Sequence, residues 1–177
     1  SPQTMTLDEN WFSEPHQDTA FSLRIKGKLH EEQTPLQKIE IYDTVGFGKL
    51  MVIDGCVMLT DRDNFVYHEM MSHPVLFSHP DPRHVLIIGG GDCGTLREVL
   101  KHDCVREATQ VDIDERVTRL SEQYFPQLCE SNGDPRARLA APYEVGRPGL
   151  RRWNPRVRGA PIRGGRTLLV FTPQPAS

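Results

Sequence analysis

"HVLIIGGGDCGTLREVLKH", residues 84–102, decides how this chain is read. It opens with a short continuous apolar run, which suits a strand buried on both faces of a parallel sheet. Gly89, Gly91 and Gly94 follow at the spacing G-x-G-x-x-G. In that pattern the glycines permit a tight turn and let backbone N–H groups approach a ligand beside the start of a helix. A helix is predicted over "TLREVLKH", with Leu96, Val99 and Leu100 on one face and Lys101 and His102 at the end where the macrodipole favours positive charge. A second apolar stretch, "ATQVDID", ends in acids, and Asp112 stands 23 positions after Gly89. A carboxylate at that distance characteristically accepts hydrogen bonds from ribose hydroxyls. Strand, glycine turn, helix, strand and acid in this order predict a nucleoside-binding unit of the doubly wound α/β class. The bland alternative is a turn with no ligand.

Asp92 narrows the choice of nucleoside, because it stands where a dinucleotide's pyrophosphate would sit. A carboxylate about 4 Å from a phosphate charge costs roughly 1–4 kcal/mol, depending on the local dielectric. That disfavours a nicotinamide dinucleotide, and with it a dehydrogenase, and favours a cationic ligand such as an adenosyl sulfonium compound with a free amine. The alternative is that Asp92 caps the helix and faces away.

Upstream, "AFSLRIKG", "QKIEIYD" and "GKLMVID" are β-rich runs of strand length. Asp54-Gly55, between "LMVI" and "VMLT", marks a tight hairpin whose central residues need positive φ. "DRDNFVYHEMMSH" reads as a helix with Asp63 as N-cap, ended or kinked by Pro74. These elements predict a small antiparallel β-rich domain with a helix over residues 1–80, joined through "SHPDPRH" to the nucleoside-binding unit over 81–139.

Composition divides the 177 residues further. Residues 1–139 carry 14 Lys and Arg against 23 Asp and Glu, whereas residues 140–177 carry seven Arg and a single acid, Glu144. No apolar run approaches the roughly 20 residues that a membrane span needs, and "SPQTMTLDENWF" lacks the basic-then-apolar order of a signal peptide. The expectation is a soluble, cytoplasmic protein without membrane contact. Cys56, Cys93, Cys104 and Cys129 form no CxxC pair and no metal-like spacing, so reduced structural thiols are expected and no metal site.

The stretches "WFSE", "PLQKIEIYDTVGFGKLMVIDG", "TDRDNFVYHEMMSHPVL", "VLIIGGGDCGTLREVLKH", "VDIDERV" and "DPRARL" occur in an order that resembles the spermidine synthase (polyamine aminopropyltransferase) family over about residues 10–139. The resemblance implies transfer of an aminopropyl group from decarboxylated S-adenosylmethionine, as co-substrate, to putrescine, with no metal or further cofactor and with a homodimeric assembly. It assigns Gln37 to the nucleoside donor, Tyr67 and His68 to the polyamine channel, Asp92 to the transferred amine and Asp112 to the ribose. Each assignment has a plainer rival: Gln37 as a solvated strand residue, Tyr67 and His68 as helix-surface or core contacts. The family more often has Glu where Asp112 stands and Gly where Cys93 stands, so Asp112 reaches one methylene less far and Cys93 crowds the turn if positive φ is needed.

The chemistry so implied is attack by a neutral amine on a carbon beside a sulfonium, which requires a general base. The family supplies it from a "D-x-x-D-P-x-G-P"-like segment, and no such segment is present here. After Asp134 the only carboxylate side chain is Glu144, and no catalytic residue is assigned. The Arg/Pro/Gly-rich stretch 140–177 shows no helical period and is expected to be disordered, although "TLLVF" suits one strand. Its abrupt composition is what a truncated or frame-shifted gene would produce, with impaired activity. A rival reading takes "RRWNPRVRGAPIRGGR" as a nucleic-acid-binding tail on a non-catalytic protein. The acidic body and the lack of a nucleic-acid fold motif make a nucleic-acid partner the weaker expectation.

Overall fold

A computed structural model describes residues 7–140 and 167–171. The chain divides into two compact units between Asn64 and Phe65.

The first unit is a five-stranded antiparallel sheet of sequential strands: β1 (Trp11–His16), β2 (Thr19–Gln33), β3 (Lys38–Thr44), β4 (Lys49–Ile53) and β5 (Cys56–Thr60). The Asp54-Gly55 hairpin is present, with φ of 50° and 80° at the two residues. Asp54 is anchored further, since its Oδ1 accepts from the Lys38 N–H at 2.8 Å. Leu23, Tyr42, Leu50 and Val52 form a buried core, with Phe12, Ile25, Phe47 and Val57 packed against it. β1 escapes a reading by pattern because it is polar and contains Pro15; it is tolerated there because β1 is an edge strand paired only with β2.

The second unit begins with α1 (Asn64–Ser78), which runs through Pro74 instead of ending there. Asp63 precedes it, and its carboxylate bonds to the Thr60 hydroxyl. Leu76 of α1 lies in the same buried cluster as Val85, Ile87, Leu96, Val99 and Leu100, so the helix belongs to this unit and the division falls ahead of α1. β6 (His84–Ile88), α2 (Gly94–Leu100), β7 (Glu107–Val111), α3 (Glu115–Tyr124) and β8 (Ala137–Ala140) follow, and β9 (Thr167–Phe171) completes a parallel sheet of order β8-β7-β6-β9. "TLLVF" therefore does form a strand; the expectation of disorder over the rest of the tail, residues 141–166 and 172–177, and that of a nucleic-acid-binding role lie outside the described residues.

The sheet order reverses at β6, the place where open α/β sheets hold their ligands, beyond the carboxyl ends of the strands. Right-handed crossovers from β6 to β7 and from β7 to β8 proceed in one direction, which sets α2 and α3 on one face. The burial of β6 follows from that geometry. Val85 and Ile87 are buried, Leu86 is half-buried and Ile88 is 38% exposed. The strand is thus covered well on one face, not on both as its apolar run predicts. Among the described residues no helix is long and apolar enough to cross a membrane.

Candidate functional site

The turn between β6 and α2 is specified by close contacts more than by flexibility. Gly89 and Gly90 take φ of 84° and 72°, but Gly91 and Gly94 are glycines because neighbours occupy the Cβ position. A Cβ on Gly91 would lie 2.9 Å from the Asp112 carboxylate and 3.1 Å from Val117 Cγ1. On Gly94 it would lie 2.1–2.4 Å from three atoms of the His68 imidazole. Cys93, between them, sits in the left-handed region at φ 70° and ψ 0° and is fully buried. The crowding expected at this position is therefore real, and such a conformation costs a non-glycine residue roughly 1–2 kcal/mol. Its Sγ donates to the Gly91 carbonyl at 3.5 Å and accepts from Gln110 Nε2 at 3.6 Å, and the Cys129 thiol donates to the Asp92 carbonyl at 3.7 Å. All four cysteines are free thiols.

Asp92 divides its two oxygens between separate tasks. Oδ1 accepts from the Gly94 N–H at 2.8 Å and lies 3.0 Å from His68 Nε2. No described protein group engages Oδ2, and 14% of the side chain is exposed. One oxygen thus ties down the first N–H of α2, which is the capping alternative. Tyr67 stands beside this pair, edge-on to His68 at 5.5 Å. Burial, reinforced by the negative charge of Asp92, pushes the Tyr67 phenol up to about 12. It is a neutral hydroxyl at any physiological pH.

Asp112 holds the other side of the turn. Its Oδ2 accepts from the Gly91 N–H and its Oδ1 from the Asp114 N–H, both at 2.9 Å. Asp112 is 8% exposed. Gly89 N–H donates to Val111 O at 2.8 Å, which locks the turn to the end of β7. Thr118 Oγ1 donates to Gly91 O at 2.8 Å; this contact crosses from α3 and carries no signal in the linear pattern. Asp114, by contrast, is legible as an N-cap, and its side chain does accept from Arg116 N–H at 3.0 Å.

The structure therefore gathers Gly89, Gly91, Asp92, Gly94, Asp112, Tyr67 and His68 around one turn. Gln37 lies in the first unit, in the Thr34–Gln37 turn between β2 and β3, and is 6% exposed. Its N–H donates to Thr34 Oγ1 and its carbonyl accepts from the Thr34 N–H. Among the described residues no cluster of three or more His, Cys, Asp or Glu is arranged to hold a metal ion.

A second polar cluster occupies the far end of α2. Glu98 is 1% exposed, with Lys101 Nζ 2.8 Å and His73 Nε2 3.0 Å from its carboxylate. Burial pushes the Glu98 carboxyl up, but Lys101, His73 and Arg97 together outweigh that and hold it below its ordinary range. His73 Nδ1 lies 2.8 Å from His102 Nε2. Burial, and then the charge of His73, lower the affinity of His102 for a proton.

What the glycine turn can do chemically is bind a nucleoside through Asp112 and meet a cation with Asp92 Oδ2. Comparison with known proteins bears on that reading. Residues 10–61 match the spermidine synthase tetramerisation domain, and residues 64–143 the spermine/spermidine synthase domain. A polyamine aminopropyltransferase of Thioalkalivibrio sulfidiphilus is 81% identical over 135 residues, covering 76% of this chain and 48% of that protein. One of Methylococcus capsulatus is 70% identical over 133 residues, covering 74% and 47% respectively. The crystal structure of spermidine synthase from Thermotoga maritima is similar with a TM-score of 0.72 at 35% identity, over 80% of this chain and 50% of that one. A spermidine synthase in complex with the transition state analogue AdoDATO gives a TM-score of 0.71 at 35% identity, over 78% and 48%. The chain spans about half the length of the curated relatives it matches.

Proposed function

The chain belongs to the spermine/spermidine synthase family, and from that membership we propose that its second unit binds decarboxylated S-adenosylmethionine, the donor of an aminopropyltransferase whose acceptor is putrescine. The observation that carries the reading is the divided carboxylate of Asp92: one oxygen is held by the turn and the other, inside the glycine loop, is open where a cation would sit. Asp112 meets the ribose and Tyr67 borders the path of the polyamine. Gln37 is assigned to the nucleoside on family grounds alone. Residues 10–61 make the protein self-associating, as a cytoplasmic homodimer; their match to a tetramerisation domain supports self-association.

Turnover by this chain is at or near background, consistent with a truncated or frame-shifted member of the family. An ammonium must lose its proton before it attacks the carbon beside the sulfonium, and a positioned base contributes typically 10²- to 10⁴-fold. Glu144 is the only carboxylate side chain after Asp134, and Pro and Gly surround it in sequence. Calorimetry with the full chain tests the donor reading. Asp92→Asn weakens decarboxylated S-adenosylmethionine about tenfold and leaves methylthioadenosine, which lacks the amine, within about twofold, as expected for loss of one charge-assisted contact. Equal losses for the two ligands would refute the role of Asp92.

A further inference from the structure

We propose that His73, late in α1, and His102, in the turn that follows α2, form a pH-operated latch between the two helices. The pair holds a single proton across its contact, and a second charge on the pair opens it. The proposal is independent of the donor reading above.

His73 Nδ1 and His102 Nε2 are 2.8 Å apart, at hydrogen-bond distance, with ring centroids 5.0 Å apart. On the other side of its ring, His73 Nε2 is 3.0 Å from Glu98 Oε2. Glu98 is buried and also bonded to Lys101 Nζ at 2.8 Å, so its carboxylate can only accept and His73 Nε2 is a donor. The proton count of the pair then follows. In the neutral pair His73 Nδ1 carries a lone pair and accepts from His102 Nε2–H. A first added proton leaves one hydrogen in the gap: it fills His102 Nδ1, or it fills His73 Nδ1 while His102 shifts to its Nδ1–H tautomer. A second makes both rings imidazolium, which are donors at every nitrogen. Two hydrogens then face each other across 2.8 Å, and the contact cannot persist.

The surroundings favour the first charge on His73, which faces Glu98. Among the described residues the other charged groups around the pair are Lys101 and Arg97, which share Glu98 at 2.8 and 3.4 Å, and Arg136. Arg136 Nη1 lies 3.4 Å from the His102 carbonyl; its guanidinium is paired with Asp134 and also feels Asp103. Phe77, uncharged, meets the His102 ring edge-on at 4.9 Å. Burial, and then the charge of His73, lower the affinity of His102 for a proton, so the second charge enters below the ordinary imidazole range. What opens is local. Leu76 of α1 stays in its cluster with Leu96, Val99 and Leu100 of α2, while half-buried His102 swings out and Phe77 loses its ring contact.

The test follows the full chain, with isotopically labelled histidine ring nitrogens, by nuclear magnetic resonance from about pH 8 to about pH 4.5, a span that brackets imidazole titration. A nitrogen–nitrogen coupling across the His73–His102 bond is expected at the upper end and through the first protonation step, with loss at the second. Amide exchange at His102 and Val105, which donate to the carbonyls of Val99 and His102, is expected to rise about tenfold over its intrinsic pH dependence across that second step. In His102→Phe, which keeps a flat ring without nitrogens, His73 should ionise in one step and the rise should vanish. No coupling at the upper end, a coupling that survives both steps, or a loss that coincides with global unfolding by circular dichroism would overturn the proposal. All three are read on the native chain and stand whether or not the variant folds.

Discussion

Replacing Gly94 by alanine adds one methyl group at a point 2.1 Å from His68 Cε1, with Nδ1 and Nε2 at 2.3 and 2.4 Å. Contacts that short cannot exist, and the imidazole is fully buried. Either the ring leaves its rotamer or α1 and α2 move apart. Overpacking of this kind costs typically about 1–3 kcal/mol, while alanine returns at most about 1 kcal/mol of helix propensity at the first residue of α2. A net loss of about 1–2 kcal/mol corresponds to a fall in melting temperature of roughly 5–10 °C for a unit of this size. Gly133→Ala is the control, because its phi is not positive and a Cβ there meets nothing within 4 Å; it should stay within about 0.5 kcal/mol of the native chain. The decisive comparison is made in a His68→Ala background, where the methyl group enters vacated space and the cost of Gly94→Ala should fall to about 0.5 kcal/mol or less. Thermal unfolding followed by circular dichroism measures all four variants. If Gly94→Ala were as stable as Gly133→Ala, or cost the same with and without the imidazole, the packing account of the third glycine would be wrong.

Three further outcomes are expected. Stability should decline as pH falls below about 6.5, because the unfolded chain then protonates His102 while the folded chain, through burial and the charge of His73, resists; His102→Gln should flatten that part of the curve, and an unaltered slope would count against it. Contributions from Glu98, facing Lys101, His73 and Arg97, are lost separately, below about pH 4. Hydrogen exchange should show faster opening over residues 85–125 than over 37–60, since β6, at the centre of the parallel sheet, has Leu86 half-buried and Ile88 38% exposed; the reverse order would contradict this. Incubated with putrescine and decarboxylated S-adenosylmethionine, the chain should release methylthioadenosine at background, and turnover within about tenfold of a longer relative would show that a base is present after all. Glu144→Gln would then identify it.

Much of this architecture is legible locally. Asp54-Gly55 announces its hairpin because two adjacent positive φ values favour few other pairs. The order β6, turn, α2, β7 can be read because a strand, a glycine cluster and a helix period fall in one continuous window. What escaped is tertiary. The glycine spacing of 91 and 94 is visible, but its reason is not: it lies in Asp112, 21 residues on, and in His68, 26 residues back. His68 itself reads as an ordinary helical residue until α1 is laid against the turn. α3 hides because Glu115–Tyr124 is largely polar, with only Val117, Thr118, Leu120 and Ser121 buried. The apolar run of β6 suggests cover on both sides, and nothing in five residues reveals that the crossovers from β6 to β7 and from β7 to β8 lead in one direction.

β9 runs alongside β6 from His84↔Thr167 to Ile88↔Phe171, on the side that β7 leaves open. Without it, the central strand of the glycine-turn unit would become a border, with a row of backbone N–H and C=O groups facing water. Such a border, carrying the sequence HVLII, is a template on which strands of other molecules can grow. Among the described residues β9 is the outermost strand on that side, so pairing moves the border from HVLII to the five residues Thr167–Phe171 and leaves β6 fully bonded on both of its edges.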